Sequence, residues 1–74
     1  MEEEIEDKLE EIYTGYIKVK FRDFGIYDVF ISLKGGLVIS VVFLYDTHYT
    51  FENNIQNIIM KIDKELIKLF KKSY

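Results

Sequence analysis

Two short loops, residues 23–25 and 34–36, divide the middle of the chain into three strand-like stretches, and each loop ends in a glycine. The first stretch, residues 16–22, alternates strictly between polar and apolar side chains, as a strand with one buried face does. A three-residue hairpin loop typically ends in a left-handed residue, a conformation that glycine adopts at little cost. Gly25 and Gly36 therefore predict two successive hairpins and a three-stranded antiparallel meander.

The two loops also predict a register for the sheet, in which every facing pair on one side is apolar. The first hairpin pairs Phe21 with Tyr27, Val19 with Val29 and Ile17 with Ile31, and the second pairs Leu33 with Leu37, Ile31 with Ile39, Val29 with Val41 and Tyr27 with Phe43. A slip of one residue would move all of these side chains to the opposite face. We therefore expect the second and third strands over residues 26–33 and 37–45.

Helical periodicity lies on both sides of the strands. Over residues 2–13, four apolar residues recur at the spacing of a surface helix: Ile5, Leu9, Ile12 and Tyr13. Thr50 is a favourable N-cap for a long last helix. The apolar residues of that helix are Ile55, Ile59, Ile62, Leu66 and Leu69, ending at Phe70, with Ile58, Met60 and Ile67 widening the face. The predicted fold is one α+β domain over residues 1–74, in α-β-β-β-α order, with both helices on one face of the sheet.

The residue content excludes disulfides and two kinds of metal site. No cysteine is present, which rules out disulfides and thiolate metal sites, and a single histidine, His48, rules out an imidazole-rich metal site within one chain. A carboxylate beside an imidazole can transfer protons, and Asp46 lies two residues before His48. No nucleophile, second histidine or glycine-rich phosphate loop accompanies this pair. We therefore expect no enzyme, no cofactor, no metal and no catalytic residue.

Location and origin are also suggested by the residue content. The longest apolar stretch, residues 37–45, is too short for a membrane helix, and the acidic start of the chain is unlike a signal peptide. We expect a cytoplasmic protein that is not bound to a membrane. Alanine and proline are absent and Arg22 is the only arginine, whereas Ile, Lys and Tyr are abundant. This composition suggests an AT-rich genome, bacterial, archaeal or viral.

The order of elements resembles the double-stranded-RNA-binding domain, in which two helices cover one face of a three-stranded meander. The resemblance implies the fold and not the activity. That family binds RNA partly through a Gly-Pro-x-His loop after the first strand, where this chain has residues 23–25, Asp-Phe-Gly. It also has lysines at the start of the last helix, where residues 50–54 contain none. The order also resembles that of some small phage-encoded inhibitors of bacterial defence systems.

Both helices carry one dominant charge. The first has Glu2, Glu3, Glu4, Glu6, Asp7, Glu10 and Glu11, and the last has Lys61, Lys64, Lys68, Lys71 and Lys72. The acidic helix could mimic a nucleic acid, and the lysines could bind phosphates. Acids near a helix N-terminus and cations near a C-terminus are favourable in any case, and the sequence pI is about 5.0. We expect the two stripes to meet in an intramolecular charge seam.

The second face of the predicted sheet suggests a binding surface. The third strand is apolar on both faces, and yet it lies at the edge without the charge, proline or bulge that usually protects an edge. We expect this edge to meet a partner protein, most simply a second copy in a homodimer. The alternative is that one helix packs on each face of the sheet and covers this strand. The expected interface residues are Val38, Ser40, Val42, Leu44, Phe30 and Ile26. The chain would then be a self-associating protein-interaction module, a regulator or inhibitor of a larger machine. The alternative is a nucleic-acid-binding protein that uses Tyr16, Lys18, Lys20 and Arg22.

Overall fold

The sheet of this protein is a meander flanked in sequence by two helices. The computed structural model describes residues 1–33 and 36–72. Its elements are α1 (Glu2–Glu10), β1 (Tyr16–Phe21), β2 (Ile26–Ser32), β3 (Val38–Leu44) and α2 (Phe51–Lys72). The strands form one antiparallel sheet in the order β1-β2-β3, so that β1 and β3 are its edges. The predicted α+β class and element order are confirmed.

The register of the sheet is the predicted one. Val29 at the centre of β2 lies opposite Val19 on one side and Val41 on the other, and the remaining apolar pairs follow in step. Gly25 and Gly36 have φ angles of 77° and 84°, the left-handed conformation expected at the end of each loop. The rest of the second loop, residues 34–35, lies outside the described residues.

One face of the sheet and both helices form the core. The buried apolar side chains of all five elements form a single cluster: Ile5, Leu9, Ile17, Val19, Tyr27, Val29, Ile31, Ile39, Val41, Phe43, Ile55, Ile58 and Ile62. Along the sheet, α1 packs over β1, and α2 packs over β3. Both helices therefore cover the same face, as the sequence predicts, and the opposite face of the sheet is left open.

Three apolar residues expected in the helical stripes are exposed. The first helix ends at Glu10, and the N–H groups of Ile12 and Tyr13 both bond to the carbonyl of Leu9. This tight turn directs the chain into β1 and leaves Ile12 49% exposed. Met60 and Ile67 on α2 are also more than half exposed. The side chain of Phe70 lies outside the described residues.

Gly15, in the link between α1 and β1, lies close to the backbone at the end of β2. Its φ is 145°, and a Cβ built at this position would lie 2.4 Å from the carbonyl oxygen of Ser32. No real Cβ atom tolerates that distance, so the chain can enter β1 here only as glycine. The link between α1 and β1 is thereby held against the end of β2.

Candidate functional site at the open sheet edge

The free backbone groups of β3 can be assigned from its hydrogen bonds. In an antiparallel pair, successive residues alternate between bonding to the neighbouring strand and pointing away from it. The N–H of Tyr45 donates to the carbonyl of Gly25, and the N–H of Leu33 donates to the carbonyl of Leu37. Odd-numbered residues of β3 therefore bond to β2. The outward-pointing residues are Val38, Ser40, Val42 and Leu44, and we call their backbone groups the open edge.

At the opposite edge of the sheet, which we call the closed edge, α1 occupies two of the three outward donors of β1. By the same alternation, the N–H groups of Val19 and Phe21 point away from β2. Glu6 Oε1 accepts a hydrogen bond from the N–H of Val19 at 2.9 Å. Glu2 Oε2 accepts one from the N–H of Phe21 at 2.6 Å. Because Glu2 and Glu6 lie one helical turn apart, a single face of α1 occupies two donors that an incoming strand would need.

The open edge has a single side-chain partner within residues 1–33 and 36–72. Lys61 Nζ donates to the carbonyl of Val42 at 2.9 Å. Lysine at an edge hinders pairing by its charge and length, but its flexible side chain can move away. The outward groups of Val38, Ser40 and Leu44 have no such contact in the described part of the chain. The two edges therefore differ: carboxylates of α1 occupy backbone donors of β1, whereas one lysine contacts a single carbonyl of β3.

A basic groove runs beside the open edge, between β3 and α2. One part has a volume of about 360 Å³ and is lined by Ser40, Val42 and three lysines. The adjoining part, about 300 Å³, extends past Leu44 and Met60. We call Lys61, Lys64 and Lys68 the groove lysines. The one acidic residue in this lining is Glu65, which pairs with Lys68 at 3.4 Å. The groove is thus positive although the whole chain has a net charge of −3.

The sheet face away from the helices is apolar near the open edge. Val38 is 65% exposed, Val42 47% and Leu44 61%, which shows that no helix covers them. Phe30 and Ser40 are exposed beside them, and Ile26 is half-buried. The structure thus brings the six residues of the expected interface together on one surface, which we call the open face. Their role as an interface stays a prediction.

The alternative nucleic-acid surface lies at the other side of the open face. Its four residues are exposed on or just beyond β1: Tyr16, Lys18, Lys20 and Arg22. Lys20 lies opposite Asp28, as expected from the register. However, the carboxylate of Asp28 accepts from Arg22, at 2.6 Å from Nη2 and 3.2 Å from Nε. This two-point contact neutralises part of the charge of the basic surface. The groove lysines do not add to that surface, because they lie at the opposite edge of the sheet.

The turn after α1 is joined to α2 by a phenol and a carboxylate. In the described residues, no ion pair links an acidic side chain of α1 to a lysine of α2, so the expected charge seam does not form there. Instead, the Tyr13 hydroxyl donates to Asp63 Oδ1 at 3.0 Å. Burial, followed by the hydrogen bond to Asp63 and its negative charge, raises the pKa of Tyr13 to about 12. The groove lysines lie beside β3 because α2 packs over that strand.

The loop after β3 holds the one histidine in a turn. Asp46 Oδ1 accepts from the backbone N–H of His48 at 2.9 Å and lies 3.1 Å from its Nδ1. The bonds to His48, the backbone one first, lower the pKa of Asp46. The His48 side chain is 92% exposed, so this pair forms a solvated turn. Within the described ranges, no three His, Cys, Asp or Glu side chains are grouped as metal ligands would be.

Asn54 fixes the connection between β3 and α2, a role that the sequence did not reveal. Its side chain is fully buried. Oδ1 accepts from the N–H of Asp46, while Nδ2 donates to the carbonyls of Asp46 and Thr50, all at 2.9 Å. Thr50 Oγ1 accepts from the N–H of Asn53, which confirms the predicted N-cap. The one sequence signal for this role was the position of Asn54, an asparagine in the first turn of the helix after the Thr50 cap. Through these bonds Asn54 sets the start of α2 and helps to place the groove lysines beside β3.

Comparisons with known proteins add no relative. The chain matches no protein-family model, no curated protein and no solved structure. Neither helix, over the residues that the structure describes, has a segment long and apolar enough to cross a membrane.

Proposed function

We propose that this chain is a non-enzymatic protein-interaction module that binds a partner by adding one of its strands to β3. The observation that carries the proposal is the difference between the two sheet edges. Glu2 and Glu6 occupy two of the three outward donors of β1, whereas Lys61 alone contacts the outward groups of β3 in the described residues. A module of this kind acts by binding to its partner and blocking a surface of it, as a regulator or inhibitor does. We propose that it does so in the cytoplasm.

Strand addition suits both the backbone and the side chains of this surface. Main-chain hydrogen bonds supply affinity, and pockets for alternate side chains supply selectivity. Each new hydrogen bond adds a net stabilisation of about 1 kcal/mol. On the open face, the incoming strand would also cover the exposed Val38, Val42 and Leu44. Lys61 would have to leave the carbonyl of Val42, which is inexpensive for an exposed side chain.

A second copy is the simplest partner, as expected from the sequence. Two β3 strands paired across a two-fold axis would join three strands from each copy into one sheet. This arrangement would cover both open edges and enlarge a small core. It would also bring the groove lysines of the two copies together, because α2 lies beside β3 in each. We therefore propose self-association as a weak form of the same interaction.

A proline at position 40 tests the proposal, because the N–H of Ser40 points away from β2. Ser40→Pro removes one outward donor and leaves the bonds between β2 and β3 in place. Ser40→Thr is the matched control, since it keeps the donor. Peptides selected from a random library on the wild-type protein should bind Ser40→Thr equally and Ser40→Pro much more weakly.

Equal binding of the selected peptides to both variants would show that the open edge is not the site. Circular dichroism must first show that Ser40→Pro is folded. Because the proposed module is not an enzyme, His48→Ala should leave peptide binding unchanged, since that side chain lies in a solvated turn.

Nucleic-acid binding is a second candidate function, favoured by one observation. Tyr16 is 68% exposed on the same strand face as Lys18 and Lys20, so that a base could stack on its ring beside two cations. Gel shifts with duplex and single-stranded probes test this function. It predicts binding that weakens steeply with salt and is lost in Lys18→Gln/Lys20→Gln. The proposed strand addition predicts no binding at physiological salt.

A further inference from the structure

We infer that the segment bound at the open edge is an extended acidic peptide of another protein, with carboxylates and apolar side chains on alternate residues. The inference rests on the proposed function, which it makes more specific. It is carried by the position of the groove lysines next to the edge at which the partner would pair.

The alternation of a strand determines which partner side chains meet which surface. Successive side chains of a strand added to β3 point to opposite faces of the sheet. On the helix side, they would enter the groove lined by Lys61, Lys64 and Lys68. On the other side, they would extend the open face beside Val42 and Leu44. A segment that matches both surfaces therefore has acidic residues at every second position and apolar residues between them.

The charge of the groove is available to a ligand. Glu65 offsets one of the three groove lysines, which leaves an excess of two positive charges in this lining. In the described residues, the acids of α1 form no ion pair with these lysines. Each carboxylate placed beside an exposed lysine contributes modestly, and several in a row also increase the rate of association.

A second copy of this chain does not supply the same chemistry. β3 reads VISVVFL and contains no acidic residue, so that pairing with itself would place only apolar and hydroxyl side chains near the groove lysines. The closed edge, β1, has lysines on the open face and two of its donors already occupied by Glu2 and Glu6. The charge of the groove therefore favours a different chain over a copy of this one.

Three synthetic peptides of about seven residues, the length of an ordinary strand, test strand addition and the acidic character of the partner separately. The first alternates glutamate with valine, and the second has serine in place of glutamate. The third repeats the glutamate peptide with N-methyl groups on the backbone nitrogens that would pair with β3. Fluorescence anisotropy gives the affinities, and amide shifts at Ser40 and Val42 give the location. We expect the glutamate peptide to bind about tenfold more tightly than the serine peptide at low salt and the N-methylated peptide not to bind.

Protein variants provide the matched control. Lys61→Gln/Lys64→Gln should weaken the glutamate peptide about tenfold and leave the serine peptide unchanged. Lys18→Gln/Lys20→Gln removes the same charge from the other edge of the sheet and should change neither affinity. All four side chains are exposed, so both variants should fold, and Lys64→Gln alone provides a milder substitute.

The contrary results distinguish a wrong partner chemistry from a wrong binding mode. If the glutamate and serine peptides bind equally and the groove variant does not discriminate, the acidic partner is wrong and strand addition stands. If the N-methylated peptide binds as well as its parent, strand addition itself is wrong. A single-stranded oligonucleotide that binds in this groove in preference to the peptides, and is lost in the Lys61→Gln/Lys64→Gln variant, would overturn the inference in favour of a nucleic acid.

Discussion

The hydroxyl of Tyr13 donates a hydrogen bond to Asp63 Oδ1 at 3.0 Å and joins the turn after α1 to the middle of α2. Burial and this neighbouring carboxylate raise the pKa of Tyr13 from 10.0 to about 12. A raised pKa means that the folded state holds the phenolic proton more firmly than the unfolded state does. The contact therefore contributes stability that is fully present below pH 10.0 and is lost as the pH rises through about 12.

Tyr13→Phe should remove this alkaline dependence. The variant lacks the hydrogen bond and should be less stable than wild type at neutral pH, but it should lose less stability above pH 10.0. Denaturant unfolding at a series of pH values measures both effects. Tyr16→Phe is the control, because its ring is exposed. Parallel loss of stability in Tyr13→Phe and wild type up to pH 12 would show that Tyr13 is not the group involved.

Asn54→Ala should destabilise the protein by about 2–3 kcal/mol, because it leaves the partly buried N–H and carbonyl of Asp46 without their partner. Asn57→Ala, on an exposed part of the same helix, should cost less than about 0.5 kcal/mol. Urea unfolding at neutral pH measures both. Equal stability of the two variants would mean that the Asn54 contacts do not hold the connection.

Gly15→Ala should be the more damaging of two glycine substitutions. A Cβ at position 15 would meet the carbonyl oxygen of Ser32 at 2.4 Å, whereas a Cβ at Gly36 would meet no atom within 4 Å. We expect a loss of about 3 kcal/mol at position 15 and about 1 kcal/mol at position 36, where the φ angle alone is unfavourable. Thermal unfolding of both variants decides the order, and the reverse order would contradict this account of the α1–β1 link.

Phe24→Asn should stabilise the protein by about 0.5–1 kcal/mol. Phe24 has a φ of 49° and is 89% exposed, so that it combines a strained backbone with little packing. Asparagine tolerates the left-handed conformation better. Tyr49→Asn is the control, because this exposed aromatic residue is not among the described residues with positive φ. A loss of stability in Phe24→Asn would show that the ring makes a contact in solution.

Val42→Lys should abolish any self-association of the protein. Light scattering on the wild type at high concentration should show weak dimers that become stronger as salt screens the groove lysines. A lysine on the open face at position 42 would place an unpaired charge in the interface. Tyr16→Lys adds the same charge at the far side of that face and should associate as wild type does. If Val42→Lys is equally dimeric, the copies meet elsewhere, for example at the exposed Met60 and Ile67 of α2.

The fold could be predicted from the sequence because its signals are local. Alternation along each strand and a glycine at the end of each loop allow few registers, and the observed pairs Val19–Val29 and Val29–Val41 are the predicted ones. The exposed Ile12 was not predicted, since the helical period continues past the residue at which the chain must turn. Periodicity shows which residues share a face, but not where a helix stops.

The features of the site depend on long-range placement, and the sequence shows them less well. Nothing near Glu2 or Glu6 indicates that their carboxylates reach the backbone of a strand more than ten residues later. The lysines of α2 were expected to face α1, but Lys61, Lys64 and Lys68 lie beside β3 because the helix packs over that strand. The open face itself was predicted, since Val38, Val42 and Leu44 follow directly from the register.

The carboxylates of Glu2 and Glu6 have a consequence for assembly. A sheet with two free edges can receive a strand on one side and offer one on the other, so that it can grow without limit into fibres. Pairing of this sheet is favoured at β3, because two of the three outward donors of β1, the N–H groups of Val19 and Phe21, are occupied by Glu6 and Glu2. A growing stack of strands that accepted this molecule at its end would present the closed edge to the next subunit. The protein would then terminate a β-assembly, with one copy sufficient for each growing end.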